Sequence, residues 1–106
     1  MKQAPFTGDP DLPQLILDLA HEKGAVLYGS FTLASGKKSD HYWDGKKVTL
    51  DPRGAYLVGR AIFSIVSMLH ADAIGGLEMG AIPIATSVAL ASHGSEKPVP
   101  AFIVRK

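Results

Sequence analysis

Two short apolar runs on either side of one helical segment set the strongest limit on the fold. Residues 71–76 turn apolar after Asp72, and residues 99–104 are apolar throughout. Residues 81–93 lie between them, with Pro83 in the first turn and Gly94 just past the end. That is start and stop chemistry for a helix. A strand, a helix and a strand at this spacing predict a parallel pair joined by a right-handed crossover. Parallel sheets bury both faces and use more than two strands. The chain therefore reads as the first part of an α/β domain rather than the whole, with both runs expected as buried strands.

Upstream, residues 1–10 are expected to be a loose lead-in, with Gly8-Asp9-Pro10 as turn chemistry. A helix is expected over residues 11–23. Leu12, Leu15, Ile16, Leu19 and Ala20 share one face, Asp9 or Asp11 is the cap, Pro13 stands in the first turn and Gly24 is the stop. Residues 25–33 and 40–50 are two extended runs, the first broken by Gly29, and they can pair as a hairpin around Ser35-Gly36-Lys37-Lys38-Ser39. Asp51-Pro52 opens a helix to about residue 70, with Leu57, Ala61, Ile62, Ile65 and Leu69 on its covered stripe and Gly54 and Gly59 weakening it. There is no internal repeat.

The composition removes several functions. The chain has 106 residues, 11 basic and 10 acidic, for a net charge of +1 and no long basic run. This argues against nucleic-acid binding through bulk charge. With no cysteine, disulfide scaffolds, thiolate catalysis and cysteine-bound zinc are excluded. The first 13 residues contain no apolar run of a signal peptide, and the apolar stretch of residues 61–69 is too short to span a bilayer. A soluble cytoplasmic protein is expected.

The residues with chemical potential lie in loops. Residues 75–80 join a strand end to a helix start, the edge where open α/β sheets bind ligands. Gly75, Gly76 and Gly80 allow close backbone approach to an anion, or serve turn geometry alone. Arg105 and Lys106 end a strand and suit phosphate, or are a solvated chain end. Lys37 and Lys38 are anion ligands or a charged hairpin tip. Tyr42 and Trp43 face opposite sides of a strand, so one can pack while the other stacks on a planar ligand, or both are structural. His21, His41, His70 and His93 share no metal-ligand spacing, and all but His41 fall near helix C-termini, where a cation suits the dipole. No serine has a convincing base partner.

Phe31-Thr32-Leu33-Ala34-Ser35-Gly36-Lys37-Lys38-Ser39 followed by His41-Tyr42-Trp43-Asp44 closely resembles the orotate phosphoribosyltransferases. Gly80-Ala81-Ile82-Pro83-Ile84-Ala85-Thr86 is similar to that family's segment after the pyrophosphate loop, and Ala101-Phe102-Ile103-Val104-Arg105-Lys106 to its third motif. The resemblance covers nearly all of residues 12–106. It implies the type I phosphoribosyltransferase fold in incomplete form: an N-terminal hood over about residues 12–50, then the first strand–helix–strand of a mostly parallel sheet over about residues 51–106. It implies transfer of phosphoribosyl from phosphoribosyl pyrophosphate to orotate, with Mg2+ on the pyrophosphate. By position, Tyr42 and Trp43 match the orotate pocket, and Ser35, Gly36 and Lys37 the hood turn beside the substrates. Glu78, Met79 and Gly80 match the pyrophosphate loop, and Arg105 and Lys106 the basic pair holding phosphoribosyl pyrophosphate.

The departures are specific. Ala34 and Gly80 stand where many or some family members carry lysine, and Asp40 and His41 replace the more usual Pro and Tyr. The family's mobile basic loop, its acidic pair and its ribose-phosphate turn have no counterpart here, so no catalytic residue is assigned within this chain and a complete site needs a second fragment, or a homodimer in which the neighbour contributes. A nicked enzyme, a truncation and a natural half-protein are all compatible with this pattern. A transferase for another base, or a non-catalytic binding or assembly module, stands as the alternative.

Overall fold

The computed structural model describes residues 11–106. The expected lead-in, and Asp9 as a cap, lie outside the described residues.

Helix α1 spans Leu12–Glu22 and buries Leu12, Leu19 and Ala20. Asp11 sits at its N-cap without a side-chain capping bond, and only its carbonyl takes part, accepting from Leu15 N at 2.9 Å. Gly24 ends it with φ +70°, which lets Ala25 N turn back to Ala20 O at 2.8 Å.

Strands β1 (Val26–Thr32) and β2 (Lys38–Trp43) form the expected hairpin. Val26 lies opposite Trp43 and Tyr28 opposite His41, but Phe31 lies opposite Ser39, so β1 carries one extra residue around Gly29. The second extended run is shorter than expected. Instead of continuing to residue 50, the chain forms a helical turn, α2 (Lys46–Thr49). Val48 and Thr49 favour strands by propensity, but Val48 is buried against Ala20 and Ala25, and Thr49 N and Thr49 Oγ1 both donate to Gly45 O. Tertiary burial outweighs β propensity at this position.

Helix α3 spans Pro52–Met68 and starts as expected, with Asp51 Oδ2 accepting from Gly54 N at 2.9 Å. Lys23 Nζ stands 3.2 Å from Asp51 Oδ1, joining the end of α1 to the start of α3. The Gly54 N–H bond, assisted by Lys23 and opposed by partial desolvation, holds the Asp51 carboxyl below its ordinary value. A lowered folded pKa contributes stability above the unfolded pKa of about 4, and that contribution is lost as pH falls through the folded value. Asp51→Asn keeps a capping oxygen but removes the charge. Urea unfolding is expected to show the variant less stable than wild type at pH 7, the difference shrinking towards zero at pH 3. An equal difference at both pH values would show that the charge plays no part.

The covered stripe of α3 differs from expectation towards its end. Leu57 and Ala61 are buried and Ile62 is partly buried, but Val66 takes the inner position while Ile65 and Leu69 are exposed. In the last turn only Val66 still reaches the core, and the helix leaves it after that residue. Gly54 and Gly59 are contact points rather than weak points. A Cβ on Gly59 would stand 2.6 Å from Ser87 O, and one on Gly54 would overlap Val48 O.

Strands β3 (Ile74–Leu77) and β4 (Ala101–Val104) are parallel, Ile74 opposite Ala101 and Leu77 opposite Val104, with helix α4 (Ala81–Ser92) between them. Gly75 and Gly76 belong to β3, so the loop before α4 is only residues 78–80. The strands were expected to be buried and are not. Every residue of β4 is exposed, and Phe102 keeps 51% of its surface. Burial is instead concentrated between the helices and the strand starts, where Val66, Val88 and Val99 form a cluster against Ile74. Ser92 closes it, its hydroxyl donating to Ala89 O and accepting from Val99 N. His21, His70 and His93 fall at helix ends as expected. No described helix is long and apolar enough to cross a membrane.

Candidate functional site

The end of the hairpin and the start of α4 border a common cleft beside α2. Tyr42 and Trp43, at the end of β2, line a cleft of about 440 Å³ together with Asp44, Lys46, Gly80 and Ile84. Tyr42 is 45% and Trp43 50% exposed. Both aromatics therefore present ring surface to this space, although they point to opposite sides of the strand. The indole lies close over Gly45, where a Cβ would stand 2.9 Å from Trp43 Nε1. The Tyr42 ring is steadied by Phe31, 5.8 Å away between centroids and tilted by 33°.

A second cleft of about 560 Å³ adjoins the first, sharing Lys46, Thr49 and Gly80, and adds Met79, Thr86 and Ser87. Gly80 precedes α4 with no side-chain capping bond. In the first turn Ile82 N donates to Met79 O at 3.0 Å and Pro83 has no N–H, so it is the Ala81 amide, at the positive end of the helix, that is left for this space. The peptide bond between Glu78 and Met79 is cis.

Glu78, Arg105 and Lys106 form a separate group at the C-terminal edge of β3 and β4. Glu78 N donates to Val104 O at 3.0 Å. Its carboxylate accepts from Lys106 N at 3.1 Å and stands 4.0 Å from Arg105 Nε. The ion pair is long and solvated, so it contributes little to stability; Glu78 fixes where the chain leaves β4. The third group, Ser35, Gly36 and Lys37, occupies the hairpin tip. Gly36 has φ +88°, Lys37 O accepts from Leu33 N at 2.8 Å, and Ser35 Oγ accepts weakly from Lys37 N. Neither cleft is lined by the tip or by the Arg105-Lys106 pair.

The fold thus joins Tyr42 and Trp43 to Met79 and Gly80, about 37 residues on in sequence, and leaves the other two groups at neighbouring edges. Sequence reasoning missed Lys46 and Thr49, because the run to residue 50 was read as extended. The Asp44-Gly45 pair was the available signal for a break. Asp40 accepts a hydrogen bond from His41 Nδ1 at 3.0 Å on the exposed face of β2, and that bond lowers the Asp40 pKa. Among the described residues no group of three or more His, Asp or Glu is placed to hold a metal ion.

No family model matches the chain. It is 46% identical over 76 residues to the orotate phosphoribosyltransferase of Aquifex aeolicus, covering 72% of this chain and 42% of that one. It is 41% identical over 103 residues to the orotate phosphoribosyltransferase of Nostoc, covering 96% and 49%. The Mycobacterium tuberculosis orotate phosphoribosyltransferase solved in complex with 5-phospho-alpha-D-ribosyl 1-diphosphate superposes with a TM-score of 0.65 at 31% identity, covering 92% of this chain and 54% of that one. The architecture is that of the type I phosphoribosyltransferases, an α/β fold with a small parallel sheet. Within that class the chain belongs to the orotate phosphoribosyltransferase family. It spans about half the length of the curated relatives it matches.

Proposed function

We propose that this chain supplies the base pocket and the pyrophosphate turn of an orotate phosphoribosyltransferase acting in pyrimidine nucleotide formation. The observation that carries the reading is the single cleft shared by Tyr42, Trp43 and Gly80. A planar base stacks on the aromatic pair, and an anion lies against the uncapped start of α4. In the reaction the bond between the ribose anomeric carbon and pyrophosphate breaks, its electrons leaving with the pyrophosphate, and an orotate ring nitrogen forms the new bond to that carbon, its proton passing to the released pyrophosphate or to water. Little covalent chemistry falls to the protein. Its part is to align the ring with the anomeric carbon and to stabilise the leaving anion.

In this reading residues 12–50 act as the hood and residues 51–106 as the start of the core. Ser35, Gly36 and Lys37 close over the substrates from the hairpin tip, and Arg105 and Lys106 reach the phosphoribosyl group from the strand edge. Mg2+ enters with the pyrophosphate as part of the substrate, since magnesium is commonly held by phosphates and water with one or two carboxylates. The described residues form no resident metal cage. The remaining half of the domain completes the site, the working unit is a homodimer, and the place of action is the cytoplasm.

Trp43 is the chain's one tryptophan, so its emission reports directly on the cleft. Titration with orotate is expected to quench it saturably, with adenine leaving it unchanged. No response to orotate, or an equal response to both, would overturn the reading.

A further inference from the structure

Lys46 stands at the joint between the two clefts and lines both of them. Among the described residues it is the only cation on either wall. Its ammonium has no hydrogen bond or ion pair among the described residues, whereas Lys23, Lys38 and Lys97 are each engaged. The neighbouring Lys47 lines neither cleft. In the first cleft Asp44 offsets the charge of Lys46. Among the described residues the second has no carboxylate, and its wall offers the hydroxyls of Thr49, Thr86 and Ser87 and the Met79-Gly80 backbone. An ammonium with no partner among the described residues, on a wall that also carries hydroxyls, is suited to an oxyanion.

We infer that Lys46 is a binding residue for the pyrophosphate group, set in the second cleft with Thr49 beside it. This rests on the transferase reading and goes beyond it by assigning a cation that the sequence motifs do not mark. A ligand stacked on Tyr42 and Trp43 and extending towards Gly80 passes this ammonium. Lys46 therefore meets the negative charge that grows on the departing group.

The test uses the whole chain and inorganic pyrophosphate, followed by calorimetry, with orotate titrated separately. Lys46→Gln is expected to weaken pyrophosphate about tenfold or more and to leave orotate affinity within about twofold, while Lys46→Arg restores most of the loss. Lys47→Gln, with the same change in net charge, is expected to leave both affinities as in wild type. Both lysines are exposed, and circular dichroism checks that the variants fold. Equal loss in Lys46→Gln and Lys47→Gln would overturn the inference as a general charge effect. Loss of orotate alone in Lys46→Gln would also overturn it, placing the ammonium on the orotate carboxylate. Wild type that binds orotate but not pyrophosphate would overturn the inference and leave the base pocket standing. Wild type that binds neither would overturn both.

Discussion

Gly59→Ala is expected to destabilise the chain by about 1–3 kcal/mol, although alanine is the better helix former. Helix propensity alone would favour the substitution by about 1 kcal/mol. The opposing effect is steric. The new Cβ would stand 2.6 Å from Ser87 O, 2.9 Å from Ser87 C and 3.0 Å from Ser87 Cβ. Two of those atoms are backbone of α4, so no rotamer change relieves the contact and the two helices must move apart. The same helix pair encloses Val66 and Val88, which have little freedom to repack. For a domain of this size the loss corresponds to about 4–8 °C in Tm per kcal/mol. Thermal unfolding of wild type and variant checks it. A raised Tm would show that α3 and α4 are not in contact at this glycine.

Tyr42→Ala is expected to weaken orotate binding about 5- to 150-fold, the equivalent of about 1–3 kcal/mol for one aromatic stacking surface. Tyr42→Phe keeps the ring and is expected to stay within about threefold of wild type, since stacking depends on the ring face. Phe31→Ala removes the neighbour that steadies Tyr42, and a smaller loss than for Tyr42→Ala is expected. Calorimetry with orotate measures all three. Unchanged affinity in Tyr42→Ala would mean that Tyr42 only packs against Phe31, and the base pocket would have to lie elsewhere.

Much of the architecture was legible because it is written in local chemistry. Gly24, Asp51-Pro52 and Gly94 mark helix ends through a positive φ, a capping carboxylate and a fixed proline ring, none of which needs a distant partner. The hairpin and the strand–helix–strand unit follow from periodicity and turn residues in the same way. The family was legible because its motifs are short, ordered strings.

Less of the site was legible. Lys46 and Thr49 belong to a helical turn that exists because Val48 finds Ala20 and Ala25, a burial that residues 40–50 do not announce by themselves. The covered stripe of α3 and the exposure of β4 depend on what packs against each, and identical apolar residues serve on either side of that division. Gly54 and Gly59 read as penalties in an isolated helix and prove to be the places where Val48 and Ser87 press closest.

The sequence by itself determined the order and approximate bounds of the three long helices, the hairpin, the parallel pair and the family, because each depends on backbone preferences or on contiguous motifs. Tertiary structure alone decided that Tyr42 and Trp43 share a cleft with Gly80 and that Lys46 stands between them. Such a meeting depends on how α2 and α4 pack about α3. That packing is set by contacts between residues far apart in the chain, and no local pattern encodes them.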